Sequence, residues 1–219
     1  MIGRRFFTIF NSECDEDPEE IVNAHISLAL AYLYNSQPEM AARTLTSSAK
    51  HEKGYVLRNV LWKMDTQARI ALKSNQASEA QKLFSELLHI AQGAYHYEIE
   101  WRATIGIAQS LVGQNKHQEA LKNFDEAEKL LLQSSLRVAV DEGRAAFLAQ
   151  RQTATQNHVE LLLKIGKKKE AMNVVRRARS RALQSTIHAS RIDGMTPAQK
   201  SKWENALARY WKEREKLLS

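Results

Sequence analysis

At 219 residues, with 43% hydrophobic and 26% charged side chains, the chain is long enough for a sizeable core and is not a low-complexity sequence. Its single cysteine, Cys14, excludes an internal disulfide and a cysteine-based zinc site. The net charge of +7 is uneven: residues 161–219 hold 15 Lys+Arg and 5 Asp+Glu, a balance of +10, against −3 for the rest, which points to an acidic partner.

In chain order, Met1–Phe10 sets Arg4 and Arg5 before apolar residues. That run is too short for a secretory signal core, and Asn11-Ser12-Glu13 ends it. No stretch is long and apolar enough to span a membrane, so the expected location is cytoplasmic. Residues 1–16 read as an irregular arm. Asp17-Pro18 followed by Glu20 is a helix-start signal.

A repeat array over 17–190 follows. Four segments align on a small residue, a second twelve positions later and a larger apolar residue four beyond that. They are Ala29, Ala41, Leu45; Ala68, Ala80, Phe84; Ala108, Ala120, Phe124; and Val159, Ala171, Val175. Seven after each first position stand the turn formers Ser36, Asn75, Asn115 and Gly166. Small residues let the two helices of a hairpin approach, and the larger one fills the groove beside them.

This spacing predicts an all-α fold, an α-solenoid of about four hairpins resembling tetratricopeptide repeats. The copies start 39, 40 and 51 residues apart, against about 34 for that repeat, so the helices are elongated. The last gap predicts that 129–150 prolongs the second helix of copy three and the first of copy four. Residues 191–219 read as a linker, turning at Asp193-Gly194, and a terminal helix with a Thr196–Gln199 capping signal. That helix is expected to cap the open end of the array.

The strongest resemblance lies in 145–219, carried by Phe147, Leu161-Leu162-Leu163, Gly166, Glu170-Ala171 and the run Arg177-Ala178-Arg179-Ser180-Arg181-Ala182-Leu183. This stretch resembles bacterial repeat proteins that carry a caspase-like CHAT protease domain after their tetratricopeptide repeats. The resemblance implies a binding scaffold, with regulation of an adjacent CHAT-type protease as one role. The family's catalytic His and Cys have no counterparts here, and Cys14 matches nothing, so no enzyme activity is expected of these residues. The alternative is that they form the N-terminal part of a caspase-like endopeptidase whose catalytic domain lies outside them.

The register places Asn23, Trp62, Asp65, Arg69, Arg102, Gln109, Gln156 and Glu160 on the inner face of the first helices. Amides and charges beside aliphatics suit capture of a protein or peptide segment. Arg176, Arg177, Arg179 and Arg181 form a basic patch. A second alternative is nucleic-acid binding through 164–181, disfavoured because the arginines wind around the helix. His89 and His96 lack a third metal ligand. With no Gly-rich phosphate loop, nucleophile elbow or paired carboxylates, neither metal nor cofactor is expected.

Overall fold

The computed structural model of the chain describes residues 18–51, 56–137, 147–148 and 151–218. Among them the structure is all-helical, with no strand and nine α-helices, the first eight packed in series. These are α1 (Pro18–Tyr34), α2 (Pro38–Ser47), α3 (Leu57–Lys73), α4 (Ala77–Gly93), α5 (Tyr97–Gly113), α6 (His117–Arg137), α7 (Gln152–Lys164), α8 (Lys168–Asp193) and α9 (Pro197–Leu218), with a short 3-10 turn at Ser48–His51. The expected arm over 1–16 lies outside the described residues, as do 138–146 and 149–150 of the proposed extension over 129–150, of which 129–137 continue α6.

The helices pair as α1–α2, α3–α4, α5–α6 and α7–α8. Each tight turn is closed the same way. Ser36, Asn75, Asn115 and Gly166 adopt positive φ, between 56° and 79°. In the second hairpin the Asn75 N–H donates to the Leu72 carbonyl at 3.2 Å and the Gln76 N–H to that of Ala71 at 2.9 Å. This pair of backward bonds satisfies carbonyls that a helix end leaves open, and Asn and Gly reach the required left-handed conformation at least strain. Tyr95, at φ 53°, closes the turn between α4 and α5 identically. Sequence reasoning missed it because tyrosine is not a turn former.

The aligned residues of the first three copies are buried, whereas Val159 and Val175 of the fourth are only partly so. Ala29, Ala41, Ala68, Ala80, Ala108 and Ala120 are fully buried, and so are Phe84 and Phe124. Glu79, Glu119 and Glu170 stand in the first turns of α4, α6 and α8, where a carboxylate complements the helix dipole. Phe84 lies against Gly106 of α5: a Cβ there would come within 2.5 Å of the ring. Successive hairpins touch through their first helices, α1 on α3, α3 on α5 and α5 on α7, and each of these also meets the preceding second helix.

The C-terminal region differs from expectation. α8 runs unbroken across the 190/191 boundary to Asp193. α9 begins at the predicted capping box, with the Thr196 N–H donating to Gln199 Oε1 at 2.9 Å and the Gln199 N–H to Thr196 Oγ1 at 3.4 Å. Among the described residues it makes no extensive contact with α7 or α8. Its 22 residues include six Lys+Arg and α8 is itself basic, so the two helices lack an electrostatic reason to pack.

Candidate functional site

The first helices carry a ladder of charges and aromatic rings. Asp65 of α3 is fully buried, and its Oδ2 accepts from Arg69 Nε at 2.8 Å and from Arg102 Nη1 of α5 at 3.3 Å. Arg102 also donates through Nε to Glu98 Oε1 at 3.2 Å, and its guanidinium lies 4.5 Å from the centre of the Trp62 ring. Glu98 in turn accepts from Arg151 Nη2 at 2.5 Å and Nε at 3.2 Å. The Arg151 guanidinium stacks 3.8 Å from the centre of the Phe147 ring. The ladder thus ties α3 to α5 and both to the chain just before α7. Burial pulls the Arg69 pKa down, but the charge and hydrogen bond of Asp65 outweigh it and hold it above its ordinary value.

This ladder corrects the inner-face assignment. Asp65 has no exposed surface with which to touch a partner. It is the counter-ion that lets two arginines lie half-buried. Arg69 and Arg102 are spoken for by the same carboxylate, so reversing their charge disturbs the fold as well as any docking. The pattern was partly legible: an acid four residues before an arginine on one helix is a common pairing. Nothing local shows that Arg102, 37 residues away, completes the group.

The remaining inner-face residues divide. Asn23 is half-buried on α1. Gln109 of α5 and Glu160 of α7 meet at one cavity of about 210 Å³, together with Val112, Phe124, Asn157 and Lys164. Gln156, one turn before Glu160, lines a separate cavity between α7 and α8.

The basic patch is split in the same way. Arg181 pairs with Glu128, and Arg177 Nη2 lies 3.5 Å from Asp125 Oδ1, both acids belonging to α6. Arg176 and Arg179 are exposed. A phosphate backbone would therefore meet arginines already half neutralised, which weakens the nucleic-acid reading.

Two residues that sequence reasoning passed over sit at the α6–α7–α8 junction. Glu128 is buried and accepts from Thr155 Oγ1 at 2.5 Å as well as from Arg181. His158 is buried and stacks on Phe124, ring centres 5.5 Å apart and planes 15° from parallel. Its Nδ1 is buried without a hydrogen-bond partner among the described residues. Burial pushes its pKa below the ordinary value against the opposing pull of Asp125 and Glu128. The available signal was position: His158 falls in the apolar stripe Ala154, Leu161, Leu162, a place where a neutral histidine is expected.

His89 is exposed on α4, and His96 caps α5, its ring nitrogen accepting from the Ile99 N–H at 3.4 Å. Among the described residues no group of three His, Cys, Asp or Glu side chains is placed to hold a metal ion, and no helix is long and apolar enough to cross a membrane. No protein-family model, curated protein or solved structure matches the chain.

Proposed function

We propose that the chain is a noncatalytic interaction scaffold, a tetratricopeptide-like α-solenoid that takes a segment of a partner protein along the face of α1, α3, α5 and α7. The observation that carries this reading is the meeting of Gln109 and Glu160 at one cavity between successive first helices. An apolar floor with a few convergent polar groups is the usual build of a recognition pocket. The ladder ties α3, α5 and the chain just before α7 together, which supports a face organised before a partner arrives. The resemblance of 145–219 to CHAT-linked arrays supports a regulatory or sensor role, with a CHAT-type protease domain as one candidate partner.

The test is a peptide-display selection against the purified chain, followed by affinity measurement of the selected peptides. Gln109→Lys with Glu160→Lys changes exposed or half-exposed groups and leaves the ladder intact. It should weaken selected peptides about tenfold or more while the circular-dichroism spectrum is unchanged. Peptides that bind the double variant as they bind the parent chain would place recognition elsewhere. Incubation with an unfolded protein should yield no cleavage, and cleavage abolished by Cys14→Ala would overturn the noncatalytic reading.

A further inference from the structure

In the first three hairpins the groove between the two helices is covered by the next first helix. α3 packs on α1 and α2, α5 on α3 and α4, and α7 on α5 and α6. α7 and α8 have no such neighbour among the described residues, since α9 makes no extensive contact with either. Between them lies a cavity of about 320 Å³ lined by Leu131, Leu148, Val159, Val175, Ala178 and Arg179 among others.

The register explains why the space is there. Val175 occupies the position held by Leu45, Phe84 and Phe124 in the earlier hairpins, each of them buried. A valine where two other hairpins use phenylalanine leaves room for a ring. The walls continue past the cavity. Val175, Arg179 and Leu183 follow at four-residue intervals on α8, and Gln152, Gln156, Val159 and Leu163 at three- and four-residue intervals on α7, so each set forms one stripe. Leu163 and Leu183 are 52% and 60% exposed, large apolar side chains with nothing over them among the described residues.

The rim is cationic. Arg151 and Arg181 keep their carboxylates, Glu98 and Glu128. Arg179 has no carboxylate among the described residues and stands beside the apolar floor. The surrounding helix carries seven Lys+Arg against Glu170 and Asp193. That field repels α9 and the α8 of a second copy, both basic, and attracts an acidic segment.

We infer that the α7–α8 groove is a docking seat for an acidic segment of another protein, which inserts a bulky apolar side chain between Val159 and Val175 and sets a carboxylate on Arg179. The seat lies on a different cavity from the Gln109–Glu160 face, and its test does not depend on that face. The probes are three fluorescent helical peptides of about five turns: one rich in glutamate with a phenylalanine stripe, one with lysine for every glutamate, and one with alanine for every phenylalanine. Anisotropy titration of the full chain should give saturable binding of the first, weakened by salt, and binding about tenfold or more weaker for the other two.

Two variants locate the site. Val175→Phe restores the residue type of the earlier hairpins; it should leave the thermal midpoint unchanged or raised and abolish binding. Arg179→Glu alters an exposed side chain and should weaken the acidic peptide about tenfold or more. If Val175→Phe prevents folding, Arg179→Glu still decides the case. The inference is overturned if no probe binds, if the lysine peptide binds as well as the glutamate one, or if Arg179→Glu binds as the parent does. It is equally overturned if inorganic polyphosphate displaces the peptide as effectively as unlabelled peptide, which would make the site a simple anion binder.

Discussion

Hairpins α5–α6 and α7–α8 share a register and a turn, yet their interiors differ. In α5–α6, Ala108, Ala120 and Phe124 are all fully buried, and the Phe124 ring reaches His158 on the next first helix. In α7–α8 the same positions hold Val159, Ala171 and Val175, and only Ala171 is buried. Among the described residues no further helix packs over this hairpin, and a cavity lies between its helices. The contrast teaches that a large buried side chain at this position, Leu45, Phe84 or Phe124, fills the contact with the following first helix in the first three hairpins. With Val175 at that position and no further helix over it among the described residues, α7–α8 keeps a cavity instead.

The largest test of this contrast is to remove the ring. Phe124→Ala should cost about 3–5 kcal/mol, the loss expected for a buried phenylalanine that leaves a cavity. Val175→Ala removes a half-buried side chain already beside open space, and should cost well under half as much. Urea melts of both variants check the ratio; equal losses would mean that the last hairpin is as tightly packed as the third.

A smaller effect is expected from the other side of the aromatic contact. Gly106→Ala would set a Cβ at 2.5 Å from three atoms of the Phe84 ring, and overpacking of this kind costs about 1–3 kcal/mol. Gly93, the last residue of α4, has nothing within 4 Å of such a Cβ. Gly93→Ala should therefore be neutral or stabilising by up to about 1 kcal/mol, through helix propensity. Ala120→Leu, at the fully buried helix contact, belongs with Gly106→Ala in direction and size. Parent-like stability of that variant would sink the register.

How much of this was readable before the fold was known follows from the range of each signal. Turns and helix contacts are local, so Ser36, Asn75, Asn115 and Gly166, together with the buried alanines, stood out from spacing and residue type alone. The capping box at Thr196 was legible for the same reason. The site was less so. Asp65 belongs by register to the inner face, but its burial depends on Arg102 arriving from the next hairpin and on Trp62 lying under that guanidinium. The pairing of Glu128 with Arg181, 53 residues apart, is equally invisible to periodicity. Long-range ion pairs leave no mark on a single sequence, whereas a helix face leaves one every three or four residues.

The ladder and an exposed ion pair of α8 can be separated experimentally. Asp65→Asn keeps the shape and removes the charge that holds two half-buried arginines. It should destabilise by about 1–3 kcal/mol, tempered because both arginines retain some access to water. Glu170→Gln removes a carboxylate that pairs with Lys167 at 3.0 Å on the exposed start of α8. No change resolvable in a urea melt is expected, since exposed pairs contribute little. Equal losses would mean that the ladder is an ordinary surface network.

The smallest expected effect is a pH dependence confined to the junction where the two hairpins meet. His158 is buried against Phe124, and burial lowers its pKa below the ordinary 6.5. The groups facing it are Asp125 and Glu128 of α6 and Arg177 and Glu170 of α8, and the acids only partly offset the burial. When a folded histidine has the lower pKa, the unfolded chain binds the proton first as pH falls. Stability is then undiminished above about pH 6.5, declines as the pH drops through the lowered folded value, and levels off below it as far as this group is concerned. His158→Phe keeps an aromatic stack and removes the titration. The parent should therefore lose more stability than the variant between neutral and mildly acidic pH. Charged groups remote from the ring are common to both and cancel in the difference. Hydrogen exchange localises the effect: acid should lower the protection factors, corrected for the slower intrinsic exchange, in α7 and α8 before α5 and α6, because His158 sits at the seam between the tightly filled hairpin and the open one. Identical pH profiles for parent and variant would show that the proton does not reach this ring in the relevant range, and that the seam is held by packing alone.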